Sequence, residues 1–135
     1  MDELPQWDPG TPAVLCAHGP HAIPVSTATR AAGDRIVFAL AHSRETLAIL
    51  RDHPQAALCL MGAGVAFTAE GEARVVREKL DASPHVAALE LRVARVHDHL
   101  EGSPTEMLDG ARWSFTTGAA READAGVRDE LARLV

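Results

Sequence analysis

Apolar and polar residues alternate along the first forty residues in the way that β-strands require. A first strand is predicted over residues 13–18, where the alternation has a period of two, and a second over the apolar run 22–28. Pro24 lies inside the second run. Because proline cannot donate to a neighbouring strand, we expect that strand at a sheet edge or a bulge. Residues 31–34 are typical of a turn, and a third strand is predicted over residues 36–40.

The pattern changes to a helical one over residues 43–52. Ser43 is placed to act as the N-cap, and Leu47 and Leu50 share one face of the predicted helix. Pro54 ends this helix, because the residue before a proline is disfavoured in helical geometry.

Longer strands follow the helix. Residues 55–61 form an apolar run, and residues 65–78 form a long strand that Gly71 interrupts. A glycine at such a position is typical of a strand that bends sharply at the corner of a barrel.

The last long strand alternates between apolar residues and the polar Glu90 and Arg92, so we expect these two side chains to face water. The alternation slips at residues 94–95, which indicates a β-bulge. Residues 113–115 are predicted to form a short closing strand, and residues 119–135 a C-terminal helix with one apolar face.

These elements predict a mainly β fold with minor α content. The count is six or seven strands, with one short helix after the third strand and one helix at the end. Their short connections favour antiparallel pairing, because a parallel crossover needs a dozen or more residues. At 135 residues the chain is expected to be a single domain, 1–135, that begins with an irregular arm over residues 1–12. The sequence therefore predicts an antiparallel barrel.

Composition and charge narrow the classes of function. A formal net charge of −6 argues against a nucleic-acid partner, which a protein binds through a basic face. No apolar run approaches the ~20 residues of a membrane helix, and the first residues lack the features of a signal peptide. Cys16 and Cys59 lie in apolar runs without metal-binding spacing, as in proteins of a reducing compartment. We expect a cytoplasmic protein without a membrane partner.

The start of the predicted short helix is a candidate anion site. A helix N-terminus presents free backbone N–H groups and a partial positive charge, to which Ser43 adds a hydroxyl and Arg44 a guanidinium. The same residues also describe an ordinary capped helix with a solvated arginine. Spacing alone favours this second interpretation.

Other candidate chemistry is weaker. His97 and His99 lie on the same face of a strand, as in some metal sites, and His18 and His21 flank a turn. Nothing supplies a third ligand near His97, so a solvated polar face is the favoured interpretation and no metal site is predicted. The serines and cysteines fit no nucleophile motif, and catalytic residues stay unassigned. Any reaction is therefore expected to depend on a bound cofactor.

Several short motifs occur in a distinctive order between residues 13 and 97. The most distinctive is a helix that ends in Leu-x-x-x-Pro and passes straight into an apolar strand. The motifs are Pro24-Val25-Ser26, Ile36-Val37-Phe38, His42-Ser43-Arg44, residues 50–54 with the strand 56–61, and residues 71–76.

This ordered set resembles the pyridoxamine 5′-phosphate oxidase-like family, the FMN-binding split β-barrels. The resemblance implies a homodimer that holds FMN in a groove between its subunits, acting as an oxidoreductase on an unidentified small molecule. It implies three groups of cofactor-binding residues: along the flavin, around the phosphate, and on the strand that faces the ring. In that order they are Val25, Ser26 and Thr27; His42, Ser43 and Arg44; and Ala66, Phe67 and Thr68.

The chain also departs from the family's pattern. Pyridoxamine phosphate oxidases carry Arg and Lys at the ends of the second-strand motif, where Ala22 and Thr27 stand here. They carry Lys in the turn, where Glu45 stands, and Gln and Arg on the ring-facing strand, where Ala66 and Thr68 stand. Vitamin B6 oxidation is therefore not expected. Two alternatives stay open: the same fold with a deazaflavin or haem as its cofactor, and a cofactor-free dimer with a structural or regulatory role.

Overall fold

The computed structural model describes residues 3–134, which form one antiparallel sheet and two helices. This confirms the predicted mainly β fold. The elements are β1 (Ala13–Ala17), β2 (His21–Val25), β3 (Thr29–Ala32), β4 (Arg35–Ala41), α1 (Glu45–Asp52), β5 (Gln55–Gly62), β6 (Val65–Arg77), β7 (Val86–Asp98) and α2 (Gly118–Arg133).

The order of the strands across the sheet is β2-β1-β5-β6-β7-β4-β3. The two edge strands, β2 and β3, are consecutive in the chain and joined only by residues 26–28, so the sheet must curl until its edges come close. This arrangement is a barrel that is split between β2 and β3. Pro24 lies on the edge strand β2, as predicted, and pairs with Val14 on one side only.

A bulge bends the longest pair of strands, β6 and β7. Glu70 pairs with Arg95 and Gly71 with Val93, so Ala94 is the extra residue. Beyond the bulge Val96 points inward and is buried. The predicted bend at Gly71 and the predicted slip at residues 94–95 are thus two sides of one feature.

The structure differs from the predicted elements at three places. Residues 29–32 form the short strand β3, so the short helix follows the fourth strand and not the third. Helix α1 begins at Glu45 with Arg44 at its N-cap position, and the prediction that Ser43 caps it was wrong. Residues 113–115 form no strand.

The C-terminal helix was predicted over residues 119–135. It begins at Gly118, where the Thr117 hydroxyl caps it by accepting the N–H of Ala120 at 3.1 Å, and ends at Arg133. Val135 lies outside the described residues. Neither helix of the described region has the length and apolar character that crossing a membrane requires.

Two apolar clusters hold these elements together. The larger fills the barrel around the fully buried rings of Phe38 and Phe67. The smaller lies on the outer side of β4 and β7, where α2 covers it. Its buried members are Val37, Leu80, Ala88, Val127 and Leu131.

A buried carboxylate fixes α2 to the loop between β6 and β7. Glu130 is 3% exposed and accepts the backbone N–H groups of Asp81 at 2.9 Å and Ala82 at 2.8 Å. Burial acts to raise the pKa of Glu130, but these N–H groups, with Arg77 at 3.8 Å, outweigh it and hold the pKa below its usual value. The helix is therefore attached by directional bonds as well as by apolar contact.

Candidate functional site

A pocket of about 430 Å³ lies between the β2–β3 link, β4 and the C-terminal segment. Its volume is in the range typical of small-molecule sites, and its lining is mostly apolar. The lining residues are Pro24, Val25, Ser26, Thr27, Ala39, Leu40, Ala41, Arg44, Ser83, Val86, Trp113, Phe115, Ala120, Ala123, Asp124 and Val127.

The β2–β3 link forms one wall of the pocket and is rigidly held. The hydroxyl oxygen of Thr27, which is 7% exposed, accepts the N–H of Ala39 at 2.9 Å and ties the link to β4. Ser26 is half-buried, and its hydroxyl donates to the Asp124 carboxylate at 2.8 Å. Three residues predicted to run along a cofactor, Val25, Ser26 and Thr27, thus do line a pocket.

Arg44 supplies the positive charge of the pocket. Its side chain is exposed, and in residues 3–134 it makes no ion pair. Among the described residues no side chain caps the first turn of α1. The N–H of Leu47 donates to the carbonyl of Arg44 at 3.2 Å, and the N–H groups of Glu45 and Thr46 keep their capacity to bind an anion. The rim of the pocket at Arg44 is therefore suited to a phosphate or carboxylate.

Two aromatic side chains face the same pocket from the segment before α2. Trp113 is 46% exposed and Phe115 is 37% exposed, which is unusual for large apolar side chains unless they serve a contact. Sequence reasoning missed them as pocket residues because it assigned them to a strand. The available signal was two aromatic residues in an otherwise polar stretch of a chain that is only 4% aromatic.

Helix α2 closes the pocket with small residues and one carboxylate. Ala120 and Ala123 leave room beside the cavity, while Asp124 reaches into its lining. Asp124 also accepts the Nε–H of Arg128 at 2.8 Å. No local motif marks Asp124, because its partner Ser26 lies 98 residues away in the sequence.

The other predicted cofactor residues do not line this pocket. The His42 ring donates from Nε2 to the carbonyl of Glu78 at 2.6 Å, and Ser43 is exposed beside it. Phe67 is fully buried in the barrel against Trp7, with ring centroids 5.3 Å apart. Its neighbours Ala66 and Thr68 pair with Met61 and Cys59 on β5, away from the pocket.

The histidines are engaged elsewhere. His97 lies 2.8 Å from the Glu70 carboxylate, and this hydrogen bond is the main cause that lowers the pKa of Glu70. His99 bonds to the Thr68 hydroxyl, and His18 stacks on His53 at 3.8 Å between ring centroids. Within residues 3–134 no three potential ligands gather around one point as a metal ion requires.

No protein-family model and no curated protein matches the sequence. Solved structures do match the fold. HupZ of Group A Streptococcus is 11% identical, with a TM-score of 0.58 over 76% of this chain and 90% of its own. A candidate pyridoxamine 5′-phosphate oxidase of Lactobacillus delbrueckii is 15% identical, with a TM-score of 0.56 over 64% and 84%. A heme binding protein of Mycobacterium smegmatis is 19% identical, with a TM-score of 0.53 over 87% and 55%. At such identities the likeness concerns the fold.

Proposed function

We propose that this chain, which has the split-barrel fold of pyridoxamine 5′-phosphate oxidase-like proteins, binds FMN in the pocket between the β2–β3 link and α2. It would act as a flavin-dependent oxidoreductase on a small molecule. One observation carries the proposal: Arg44, which is exposed and makes no ion pair with any described residue, lies on the rim of an apolar pocket that Val25, Ser26 and Thr27 also line.

The lining suits the two ends of a flavin nucleotide. Trp113 and Phe115 offer flat apolar surface to a planar ring, and aromatic pairs contribute about 0.5–1.5 kcal/mol beyond the area they bury. Arg44 and the uncapped first turn of α1 offer donors to a phosphate. Glu45 stands next to Arg44 and is exposed, so water screens its repulsion of an anion.

A bound flavin supplies the electron or hydride transfer, and the protein supplies binding and orientation. Among the lining residues, the charged side chains are Arg44 and Asp124. The remaining lining is apolar or hydroxylic, so the described residues chiefly hold a ring and keep water from one of its faces.

A flavin fits this pocket better than haem. Haem iron takes an axial ligand such as His, Cys, Met or Tyr, and none of the lining residues is of these types. The likeness to a heme binding protein therefore supports a common fold, and haem is the weaker candidate for this pocket. A deazaflavin shares the ring shape and a phosphate, so it belongs in the same titration.

Arg44→Ala is expected to weaken FMN binding by roughly ten- to a hundredfold, because it removes a charge-assisted contact to the phosphate. Riboflavin, which lacks the phosphate, should bind the variant and the unchanged protein equally. Quenching of flavin fluorescence measures both affinities.

Arg51→Ala is the matched control. Arg51 lies on the same helix but is paired with Glu78 at 2.7 Å, and it does not line the pocket. It should leave both flavin affinities unchanged. An unchanged protein that ignores millimolar FMN and deazaflavin would reject the proposed function and favour the cofactor-free dimer.

We also propose that two copies of the chain associate through the outer face of β1 and β5. Val14 and Met61 are 38% and 48% exposed there, and Val14 pairs with Cys59, two residues before Met61. Of the ring-facing residues predicted from the resemblance, Ala66 pairs with Met61 and Thr68 with Cys59. Ala66 is buried, whereas Thr68 is half-buried, so a second copy on this face is the arrangement in which Thr68 would approach a flavin held by the partner.

Met61→Glu is expected to convert a dimer to a monomer, because it places a charge in a desolvated contact. Val76→Glu is the control, since Val76 is equally exposed at 45% but lies near the far end of β6. Sedimentation velocity at micromolar concentrations measures the mass. A monomeric unchanged protein, or dissociation by both variants alike, would contradict this interface.

A further inference from the structure

At the wall of the pocket formed by Ser26 and Asp124, the two side chains offer only hydrogen-bond acceptors to a ligand. A serine hydroxyl has one hydrogen, and that of Ser26 is donated to Asp124 at 2.8 Å. Ser26 therefore has only lone pairs left for a ligand. The Asp124 carboxylate is likewise an acceptor.

The countercharge of Asp124 lies behind this wall. Arg128 donates through Nε to the other carboxylate oxygen at 2.8 Å, and it does not line the pocket. A Cβ placed on Gly10 would lie 3.6 Å from Nη1 of Arg128, so the guanidinium extends towards the N-terminal arm. The Asp124 side chain is 12% exposed, so little water competes for its oxygens.

We propose that Asp124, together with Ser26, determines the ligand specificity of the pocket by accepting hydrogen bonds from a neutral, donor-bearing part of the ligand and excluding anionic groups from that wall. This inference rests on the proposed flavin site and deepens it. It places the two polar functions of the pocket at different points: donors at Arg44 and acceptors at Ser26 and Asp124.

The ligand class follows from that division. The pocket takes a planar aromatic ring with N–H or hydroxyl donors and one anionic end, which describes a flavin nucleotide. Haem carries two propionate groups, and a carboxylate near Asp124 is repelled in a site with little water. Asp124 therefore favours flavin over haem independently of any axial ligand.

Asp124→Asn tests the proposal with three probes: riboflavin, FMN and hemin. The amide keeps one acceptor but turns donors towards the pocket, so the affinities for riboflavin and FMN should both fall about tenfold, by the same factor. The ratio of the affinity for FMN to the affinity for hemin should fall by at least about tenfold. Arg44→Ala differs from Asp124→Asn in that it should weaken the binding of FMN and leave the affinity for riboflavin unchanged.

Asp129→Asn is the control, because Asp129 is an exposed carboxylate on the same helix and does not line the pocket. It should change none of the three affinities. Circular dichroism and thermal unfolding of Asp124→Asn show whether α2 stays docked. If it does not, Ser26→Ala keeps the Asp124–Arg128 pair and should still weaken both flavins equally, by several-fold.

The outcomes distinguish a failure of the proposed role of Asp124 from a failure of the proposed flavin site. If FMN binding depends on Arg44 but Asp124→Asn behaves like Asp129→Asn, the specificity inference is wrong and the flavin site stands. A gain for FMN, or a loss smaller than that for riboflavin, in Asp124→Asn would place the phosphate at this wall, because the substitution removes a repelling charge, and would also overturn the inference. If the unchanged protein binds neither flavin, the proposed function fails and the inference fails with it.

Discussion

Gly71→Ala is expected to destabilise the protein by about 3 kcal/mol or more. A Cβ at this position would overlap the carbonyl oxygen of Arg92 and lie 2.8 Å from its carbonyl carbon. Both atoms belong to the backbone of β7 next to the bulge, so neither can move without loss of strand pairing. Denaturation in urea, followed by tryptophan fluorescence and circular dichroism, measures the free energy of unfolding.

Gly118→Ala is the matched control. It separates the effect of the close backbone contact at Gly71 from the effect of replacing a glycine by alanine. A Cβ on Gly118 meets nothing closer than Nη2 of Arg121, at 3.8 Å. Its free energy of unfolding should stay within about 0.5 kcal/mol of the unchanged value, or rise slightly through the lower entropy of the unfolded chain. If both variants are equally stable, β6 and β7 do not approach each other as closely at Gly71 as the structure places them.

Glu90→Ala is expected to cost about 3 kcal/mol, the lower end of the range for a broken buried ion pair. Glu90 is 6% exposed and bonds to Arg35 at 2.9 Å and Arg92 at 3.1 Å. The substitution removes the carboxylate that pairs with the partly buried guanidinium of Arg35. The Nε of Arg35 already lacks a hydrogen-bond partner among the described residues. The side chain of Arg35 is 26% exposed, so water solvates part of the unpaired charge and limits the loss of stability.

The same residue predicts how stability depends on pH. Burial acts to raise the pKa of Glu90, but Arg35 and Arg92 outweigh it, so its folded pKa lies below the ordinary 4.5. The contribution of Glu90 to the free energy of unfolding is therefore complete above the ordinary pKa of 4.5 and is lost as the pH falls through the lowered pKa. Glu90→Gln should flatten the acid side of the stability profile.

Glu72→Ala is the matched control. Glu72 lies on the neighbouring strand, and its one ion pair within residues 3–134 is a 4.0 Å contact with Arg74. It should change the free energy of unfolding by less than about 0.5 kcal/mol and leave the acid profile steep. Equal effects of Glu72→Ala and Glu90→Ala would mean that burial of the Glu90 pair contributes nothing.

The bend and the bulge could be predicted because each leaves a mark in the local sequence. Gly71 interrupts a strand pattern, and residues 94–95 shift the phase of the next one. Pro24 similarly marks an edge strand by its missing donor. These features act on neighbouring residues, so alternation alone reveals them.

Features that depend on distant partners escaped prediction. Glu90 alternates with apolar residues as an exposed glutamate does, yet its carboxylate is buried and pairs with Arg35, which lies 55 residues earlier in the sequence. Strand β3 has four residues, all half-buried, which is too short for a period to show. Ser43 has the right type for a cap, but the chain enters α1 with Arg44 in the extended conformation of an N-cap residue.

The residues of the candidate site also fall into those that the local sequence marks and those that only tertiary packing brings together. Val25, Ser26, Thr27 and Arg44 belong to short motifs and were predicted to lie near a cofactor, and they do line one pocket. Trp113, Phe115 and Asp124 come from a segment without a recognisable motif, and tertiary packing alone brings them there. Whether any of them contacts a cofactor stays a prediction.

The position of α2 in the chain has a consequence for biosynthesis. A chain is synthesised from its N-terminus at roughly 5–20 residues per second. All seven strands precede α2, whereas the acceptor groups for Asp81 and Ala82 reside on Glu130. All strands of the barrel are therefore synthesised before the second wall of its pocket exists. Any ligand that needs both walls is admitted only after α2 has been synthesised and has docked.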